Sequence, residues 1–349
     1  MRTALAARGD VIRPPAGPNS RRLTERILRV RESGIIAVLV AFVAITASIQ
    51  PRFLSVVNVQ FILVNTTVFA LLALGETMVV ISRNVDLSVG SVLGLSAYVS
   101  ANLFGRVPGI PIPVVFAVGI GIGLVCGIVN GLMVSLGQVP SLVVTLATLY
   151  IIRGIDILIV GGREVVAQTL PAGFIDISRA SVAGIPDLAI VIAVVIGIGA
   201  YYLRSFRSGR ELYAIGSSPE AARLAGISVG KRILTAFAVS GAIAGLAGVL
   251  WAAEYQTIDS TAGTGYELQV VAAVVVGGVA IFGGSGSVVG AAVGALLLST
   301  ISSALYVLGI SPFWDQAIAG FLLLLAITLD RAIAVKLVAA LRGRSSRAT

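Results

Sequence analysis

Long apolar runs, interrupted by short breaks of polar residues, Pro and Gly, make up most of the chain. The hydrocarbon core of a bilayer is about 30 Å thick, and one helical crossing takes roughly 20 apolar residues. Ten runs approach that length and predict ten membrane spans. They cover residues 34–49, 57–80, 87–104, 112–136, 141–160, 188–203, 233–251, 268–282, 287–308 and 312–329.

These runs predict helices, because lipid cannot hydrogen-bond to an open backbone and barrel strands would alternate polar and apolar residues. Composition agrees, since 57% of the 349 residues are hydrophobic, 12% are charged and the mean hydropathy is +1.01. Too few polar residues remain to cover a water-soluble globule. The predicted fold class is therefore an all-α polytopic membrane protein with about ten transmembrane helices.

The basic residues predict which ends of the spans face the cytoplasm. Of the 25 Lys and Arg, eight precede residue 34, six lie within 204–232 and five follow residue 329. Basic segments stay on the cytoplasmic side, and ten spans place all three of these segments and both termini there. Topology and attraction to anionic lipid explain the net charge of +9 without nucleic-acid binding. The predicted parts are a disordered basic arm (1–33), a transmembrane domain (34–331) and a basic tail (332–349).

Composition also excludes several kinds of chemistry. The chain has no His and one Cys, Cys126, so it predicts no disulfide and no His/Cys metal site. The nearest approach to a P-loop, residues 226–231, has three residues between its glycines where four are required, and it follows no predicted strand. We therefore expect no nucleotide site, no cofactor and no enzyme activity in this chain.

Glycines recur at the spacing that lets membrane helices approach closely. One predicted stripe contains Gly119, Gly123, Gly127 and Gly131; the others contain Gly241 and Gly245, and Gly286, Gly290 and Gly294. The stretch GSVLG at 90–94 resembles GSVVG at 286–290, and each follows a break and begins a predicted span. This match predicts two related halves, an arrangement found in transport proteins.

A polar break at Arg83, Asn84 and Asp86 separates the second and third spans. One interpretation is a polar lining for a solute path, in which Arg83 and Asp86, three residues apart on a helix, neutralise each other. The other is a short turn in which Asp86 or Ser88 caps the next helix. Arg153 and Asp156 have the same spacing near the end of the fifth span, and there we favour a structural ion pair.

The segment 208–232 predicts a short cytoplasmic helix. Ser218 is suited to cap it, Pro219 to begin it, and Gly226 to end it in a left-handed conformation. A helix of about seven residues with small apolar side chains could dock into a groove of a partner and transmit its motion. Alternatively, it could lie on the bilayer surface.

Three stretches resemble the permease subunits of ribose-type ABC importers: ISRNVDLSVGSVLGLSA (81–97), GRELYAIGSSPEAARLAGI (209–227) and GTGYELQVVAAVVVGGVAIFGGSGS (263–287). We call these the first, second and third signature stretches. The likeness extends over residues 34–331. It implies an ABC importer permease fold in the bacterial inner membrane.

The resemblance also implies partners: a second permease chain, identical or closely related, a cytoplasmic two-cassette ATPase that hydrolyses ATP, and a periplasmic sugar-binding protein. By motif match, the coupling helix that contacts the ATPase contains Ser217, Ser218, Pro219, Glu220, Ala221, Ala222, Arg223, Leu224, Ala225 and Gly226. The residues expected near the substrate path are Asn84, Asp86, Ser88, Gly90 and Glu267.

The chain departs from the family pattern within the signature stretches. Arg83-Asn84 replaces Gly-Gly, Gln269 stands where Asp is common, and Val279-Ala280 replaces Thr-Ser. These changes are similar to the rhamnose-type and autoinducer-2-type branches, which we favour over pentoses. The alternatives are an ion-coupled secondary transporter that uses Asp86 or Glu267 and a membrane scaffold that does not transport.

Overall fold

The structure, a computed structural model, describes the backbone of residues 18–345 and the side chains of residues 33–328 and 331. This part of the chain forms thirteen α-helices, two 3-10 helices at Pro51–Leu54 and Ala167–Thr169, and one two-stranded hairpin. The α-helices are α1 (Pro18–Ile49), α2 (Val56–Ile81), α3 (Val89–Arg106), α4 (Ile112–Ser135), α5 (Ser141–Val160), α6 (Ala172–Arg179), α7 (Asp187–Ser205), α8 (Arg207–Ser217), α9 (Pro219–Leu224), α10 (Val229–Tyr255), α11 (Tyr266–Val276), α12 (Val288–Val307) and α13 (Trp314–Ser345). The antiparallel strands β1 (Ser181–Val182) and β2 (Ile185–Pro186) are a small exception to the all-α prediction.

Six helices are long and apolar enough to cross a bilayer: α2, α4, α5, α7, α10 and α12. Shorter apolar stretches are Ser33–Ile49 of α1, the whole of α11, and Trp314–Thr328 of α13. The chain is therefore a mostly helical, multi-pass membrane protein. Helix α3 has 18 residues but is not among the six, so the count of ten spans stays a prediction.

The two ends of the described chain are helical. Helix α1 begins at Pro18, inside the basic arm predicted for residues 1–33, and residues 1–17 lie outside the described part. Helix α13 continues to Ser345, through most of the predicted tail. The partition of the chain into arm, domain and tail stays a prediction.

The eighth predicted span, 268–282, is wrong at its carboxyl end. Helix α11 has 11 residues and ends at Val276, so it is about 16 Å long and shorter than the hydrocarbon core. Gly278, Gly283 and Gly284 follow it with φ values of 92°, 79° and 78°. Such backbone conformations end a helix, and only glycine adopts them readily. We call residues 277–287 the glycine loop.

The break between α2 and α3 is a reversal of the chain. Arg83 has φ of 71°, and its backbone N–H donates to the carbonyl of Val80 (2.9 Å) in a turn that closes α2. The chain then returns alongside α2, because the backbone N–H of Asp86 donates to the Glu76 carboxylate at 3.0 Å. The proposed helical pairing of Arg83 with Asp86 is wrong, since the segment is not helical and the described side chains form no such ion pair.

Helices α4 and α10 pack through glycines, as the first two stripes predict. A Cβ atom on Gly123 would overlap the carbonyl oxygen of Gly241, and one on Gly245 would overlap that of Gly119. The backbones therefore touch with no side chain between them. This contact holds α10 in register against α4.

The third stripe is correct for two of its three glycines. Gly294 of α12 packs on the carbonyl of Ala273, and Gly290 packs on that of Gly277. Gly286 lies before α12, in the glycine loop, with φ of 137°. Gly90 is the second residue of α3, so the matching five-residue stretches do not occupy equivalent helical positions.

Candidate functional site

Helix α9 forms where the sequence predicts it and for the predicted reasons. Its six residues begin at Pro219, and the Ser218 side chain accepts a hydrogen bond from the backbone N–H of Ala221 (3.3 Å). Gly226 follows with φ of 79°, which is the left-handed conformation that ends a helix. Ser217 belongs to the preceding helix α8, so the predicted coupling segment includes the end of one helix and all of the next.

Most of α9 points away from the helix bundle. Leu224 is 91% exposed, whereas Ala222 is 3% exposed and packs with Ile215 and Val229. One small residue therefore anchors the helix, and a large apolar side chain projects from it. A short helix that presents an apolar side chain outwards can dock in a hydrophobic groove of a partner.

An ion-pair cluster joins the two helices that flank α9. The Glu211 carboxylate in α8 accepts hydrogen bonds from the Nε groups of Arg207 (2.8 Å) and Arg232, the latter in α10. The Glu211 side chain is 10% exposed. The hydrogen bonds from Arg207 and Arg232 hold the pKa of Glu211 below its usual value of 4.5. We call this cluster the Glu211 clasp. It holds together α8 and α10, the helices on either side of α9.

The three signature stretches meet at the carboxyl end of α8. A Cβ atom on Gly216 would overlap the carbonyl oxygen of Ile81 and the backbone nitrogen of Gly284. These two atoms are hydrogen-bonded to each other at 2.9 Å. We call this contact of Ile81, Gly216 and Gly284 the signature junction.

A second contact reinforces the signature junction. The Tyr213 hydroxyl of α8 donates to the carbonyl of Gly286 at 3.0 Å, and burial raises the pKa of Tyr213 to about 12. The phenol is therefore protonated and able to donate at any physiological pH. It fastens α8 to the glycine loop two residues downstream of Glu211.

A chain of buried polar side chains begins at the first signature stretch. Glu76 binds the backbone N–H of Asp86; Asp86 in turn accepts from the N–H (2.9 Å) and the hydroxyl (2.6 Å) of Ser88. The Ser88 hydroxyl accepts from Asn130 of α4 at 2.8 Å. All four side chains are at most 1% exposed. Asp86 thus holds the turn that precedes α3, but the predicted cap is wrong, because the cap residue Ser88 makes no side-chain cap hydrogen bond. The network links α2, α3 and α4.

The amino end of α3 contacts the third signature stretch. A Cβ atom on Gly90 would overlap Oε2 of Glu267 and the carbonyl oxygen of Gly263. The structure therefore brings together Gly90 and Glu267, two of the residues expected near the substrate path. Glu267 and Asn84 are half-buried, whereas Asp86, Ser88 and Gly90 are buried.

Arg153 of α5 supports the segment that precedes α11. Its guanidinium donates to the carbonyl of Ala262 at 2.6 Å and lies 3.8 Å from the Asp156 carboxylate. The pair is structural, as the sequence favoured, and it also satisfies backbone of a non-helical segment packed on α3. Irregular backbone inside a membrane protein requires such partners.

Sequence reasoning missed three of the polar residues that organise the site. Glu76 is the single acidic residue in the run 57–80, and a charged group within a span is a functional signal that was available. Asn130 lies in a glycine-rich run and carries a weaker signal. Glu211 has a partner 21 residues away, which no local pattern indicates.

No group of three or more His, Cys, Asp or Glu that could hold a metal ion occurs among the described residues. The carboxylates of Glu76 and Asp86 accept hydrogen bonds from backbone N–H groups, whereas Oε2 of Glu76 and of Glu267 has no hydrogen-bond partner among the described residues. The arrangement can transmit movement, because it connects an exposed short helix to the ends of three membrane helices.

Comparison with known proteins agrees with this architecture. The family model described as "Branched-chain amino acid transport system / permease component" matches residues 58–327. No solved structure matches the chain significantly.

Several curated relatives match along most of their length. The chain is 35% identical over 300 residues to the ribose import permease protein RbsC of Haemophilus influenzae, covering 85% of this chain and 92% of the relative. It is 34% identical over 316 residues to RbsC of Escherichia coli K12, covering 89% and 97%. It is 32% identical over 304 residues to the autoinducer 2 import system permease protein LsrC of an Enterobacter species, covering 87% and 88%. The chain belongs to this family of membrane permease components.

Proposed function

We propose that the chain is the membrane subunit of an ATP-driven importer of a carbohydrate. The observation that carries this proposal is the signature junction, where the end of α8 contacts both the end of α2 and the glycine loop. The ribose and autoinducer-2 import permeases among the relatives support it. The chain itself moves between inward-open and outward-open states, and ATP and its partners shift the two populations.

The family and the basic segments support the topology that we propose. Ten spans place both termini, α8 and α9 on the cytoplasmic side of a bacterial inner membrane. Helix α11, about 16 Å long, then makes up only part of the eighth crossing, and the non-helical segments on either side of it complete that crossing. Short discontinuous helices of this kind lie near the substrate path in other transporters.

Helix α9 is the coupling helix in this proposal. Leu224, which is 91% exposed, fits into a groove of a two-cassette ATPase that binds and hydrolyses ATP. Movement of α9 passes to α8 through their shared boundary at Ser217 and Ser218, and from α8 to α2 at the signature junction. The Glu211 clasp keeps α8 and α10 from separating during this movement.

The substrate path lies beside the first and third signature stretches. Asn84 and Glu267 are its half-exposed members, and Asp86, Ser88 and Gly90 act by holding the backbone there in place. Side-chain amides and carboxylates suit the hydroxyl groups of a sugar. A rhamnose-like or autoinducer-2-like solute is favoured over a pentose, by the departures at 83–84, 269 and 279–280. A second permease chain and a periplasmic sugar-binding protein complete the importer.

The experiment is Leu224→Asp in the assembled complex, with substrate-stimulated ATPase activity as the readout. Because Leu224 is exposed, the variant should fold and insert normally, and the charge should abolish stimulation by excluding the helix from its apolar groove. The matched control is Val182→Asp, which adds the same charge at a 63% exposed valine on the hairpin and should leave stimulation intact. Normal stimulation in Leu224→Asp refutes the assignment of α9.

The ion-coupled alternative predicts a different result. The purified chain alone would then transport solute into proteoliposomes under an ion gradient, with no ATPase present. Transport that requires the ATPase excludes that alternative, and solute flux of any kind excludes a scaffold.

A further inference from the structure

A cavity of about 250 Å³ lies on the inner side of α9. Its walls are the turn that follows α2, the segment between α4 and α5, and the start of α10, while Pro219 and Arg223 of α9 close it on the remaining side. These two residues are four apart and lie on one face of the short helix. The exposed Leu224 does not line this cavity, so a ligand there leaves the proposed docking residue free.

Two unpaired arginines and no carboxylate line this cavity. Arg83 and Arg223 are both exposed, and the side chain of neither has a hydrogen-bond or ion-pair partner within the described part of the chain. Glu211 of α8 is already occupied in the Glu211 clasp, and Glu220, an exposed neighbour of Arg223 on α9, does not line the cavity. The lining of the cavity therefore carries two positive charges and no negative charge.

The remaining polar groups add hydrogen-bond donors. Ser135 is 6% exposed, and its hydroxyl has no partner among the described residues. The amides of Asn84 and Gln138 line the same cavity, where the Asn84 NH₂ group donates to the carbonyl of Ser82 at 3.0 Å and the Gln138 NH₂ group donates to that of Ser135 at 2.7 Å. A buried hydroxyl without a partner is uncommon in a folded protein, and a ligand in the cavity would satisfy it.

We propose that this cavity binds a phosphate group, carried either by an anionic lipid or by a small phosphorylated metabolite. The planar guanidinium group binds phosphate oxygens in a bidentate manner. Basic pockets between membrane helices on the cytoplasmic side bind lipid headgroups. The volume equals about eight water molecules at ~30 Å³ each, which accommodates a phosphate and a short attached group.

A phosphate held by both arginines would connect α9 to the turn after α2. Arg223 moves with α9, and Arg83 is part of the turn that closes α2. The bound group would therefore restrain the element that carries coupling. This regulatory consequence rests on the proposed function of α9, whereas binding itself does not.

The test measures binding by the full chain, purified and delipidated in a phosphate-free detergent such as a maltoside. Thermal unfolding midpoints are recorded with increasing sodium phosphate and with sodium chloride at matched ionic strength, because screening alone changes charged surfaces. A second arm adds phosphatidylglycerol or phosphatidylcholine to the micelles and counts bound lipids by native mass spectrometry. A ligand that binds only the folded state raises the midpoint with its concentration.

The variants are Arg83→Gln, Arg223→Gln and their combination. Each single variant should weaken binding about tenfold, since a hydrogen bond to a charged group is lost, and the double variant should abolish it. Lys231→Gln is the matched control, because it removes an exposed positive charge from the same face without lining the cavity. It should change the affinity less than threefold.

A response to soluble phosphate identifies a metabolite phosphate, and a response to phosphatidylglycerol alone identifies a lipid headgroup. The proposal is overturned if neither probe raises the midpoint above its control, or if the double variant responds like Lys231→Gln. In the assembled complex, saturating phosphatidylglycerol or a phosphate ester should change stimulated ATPase activity at least twofold. Binding without that change overturns the regulatory consequence, while the role of α9 is decided separately by Leu224→Asp.

Discussion

Gly216→Ala places one methyl group in the signature junction and tests whether the three signature stretches depend on contact there. The new Cβ would overlap the carbonyl oxygen of Ile81 and the nitrogen of Gly284, which are backbone atoms and cannot move aside as a flexible side chain can. Overpacking of this kind costs about 3 kcal/mol, the upper end of the usual range. The higher helix propensity of alanine offsets about 1 kcal/mol of this.

We therefore expect Gly216→Ala to lower the free energy of unfolding by about 2 kcal/mol, or the unfolding midpoint by roughly 3 °C for a chain of 349 residues. The assay is thermal unfolding of the purified chain in detergent, followed by circular dichroism. The control is Gly197→Ala in α7, where no heavy atom lies within 4 Å of the new Cβ and alanine should be neutral or stabilising.

The same substitution should also affect coupling. Below both unfolding midpoints, the complex with Gly216→Ala should show less substrate-stimulated ATPase activity than the complex with Gly197→Ala, because α8 can no longer rest against α2. Equal stability of the two variants, within about 0.5 kcal/mol, would contradict the packing argument. Equal ATPase activity would contradict the route of coupling through the junction.

Three further substitutions test individual contacts by thermal unfolding. Glu211 has a lowered pKa in the folded state, so its contribution to stability is present above its usual pKa of 4.5 and is lost as pH falls through the lowered value. Glu211→Gln should therefore be less stable than wild type at pH 7. The unfolding midpoints of the two proteins should become equal in acid. Asp86→Ala should cost about 2 kcal/mol because the Ser88 donors lose their acceptor, whereas Asp86→Asn keeps that oxygen; equal losses would mean that the acceptor does not matter. Gly123→Ala should cost about 2 kcal/mol by overpacking against α10, whereas Gly121→Ala on the same helix meets nothing within 4 Å and should cost none; similar values would argue against backbone contact.

Much of the fold follows from local sequence. Apolar runs locate the long helices, and the four-residue glycine spacing identifies the packing faces of α4 and α10, although not that the two faces meet. Ser218, Pro219 and Gly226 define α9 to within a residue, because capping depends on neighbours only a few positions away. The end of α11 was misjudged because residues 277–282 are apolar, and hydropathy does not register the positive φ angles that the glycines adopt.

The contacts within the site are less accessible from sequence. Helix α8 was not predicted, since the clasp from Arg232 that stabilises it comes from 21 residues downstream. Burial of Asp86 depends on Glu76 and Asn130, which lie on two other helices. The polar break could thus be read equally as a solute lining or as a capped turn until its partners were known.

The glycine contact between α4 and α10 has a consequence for solute movement. Two backbones that touch leave no gap for water. Separating them would lose van der Waals contacts between α4 and α10 along several turns at once. The transported solute therefore crosses elsewhere, and these two helices move together as one rigid unit. Distance labels placed on α4 and α10 should report one unchanging separation throughout the transport cycle.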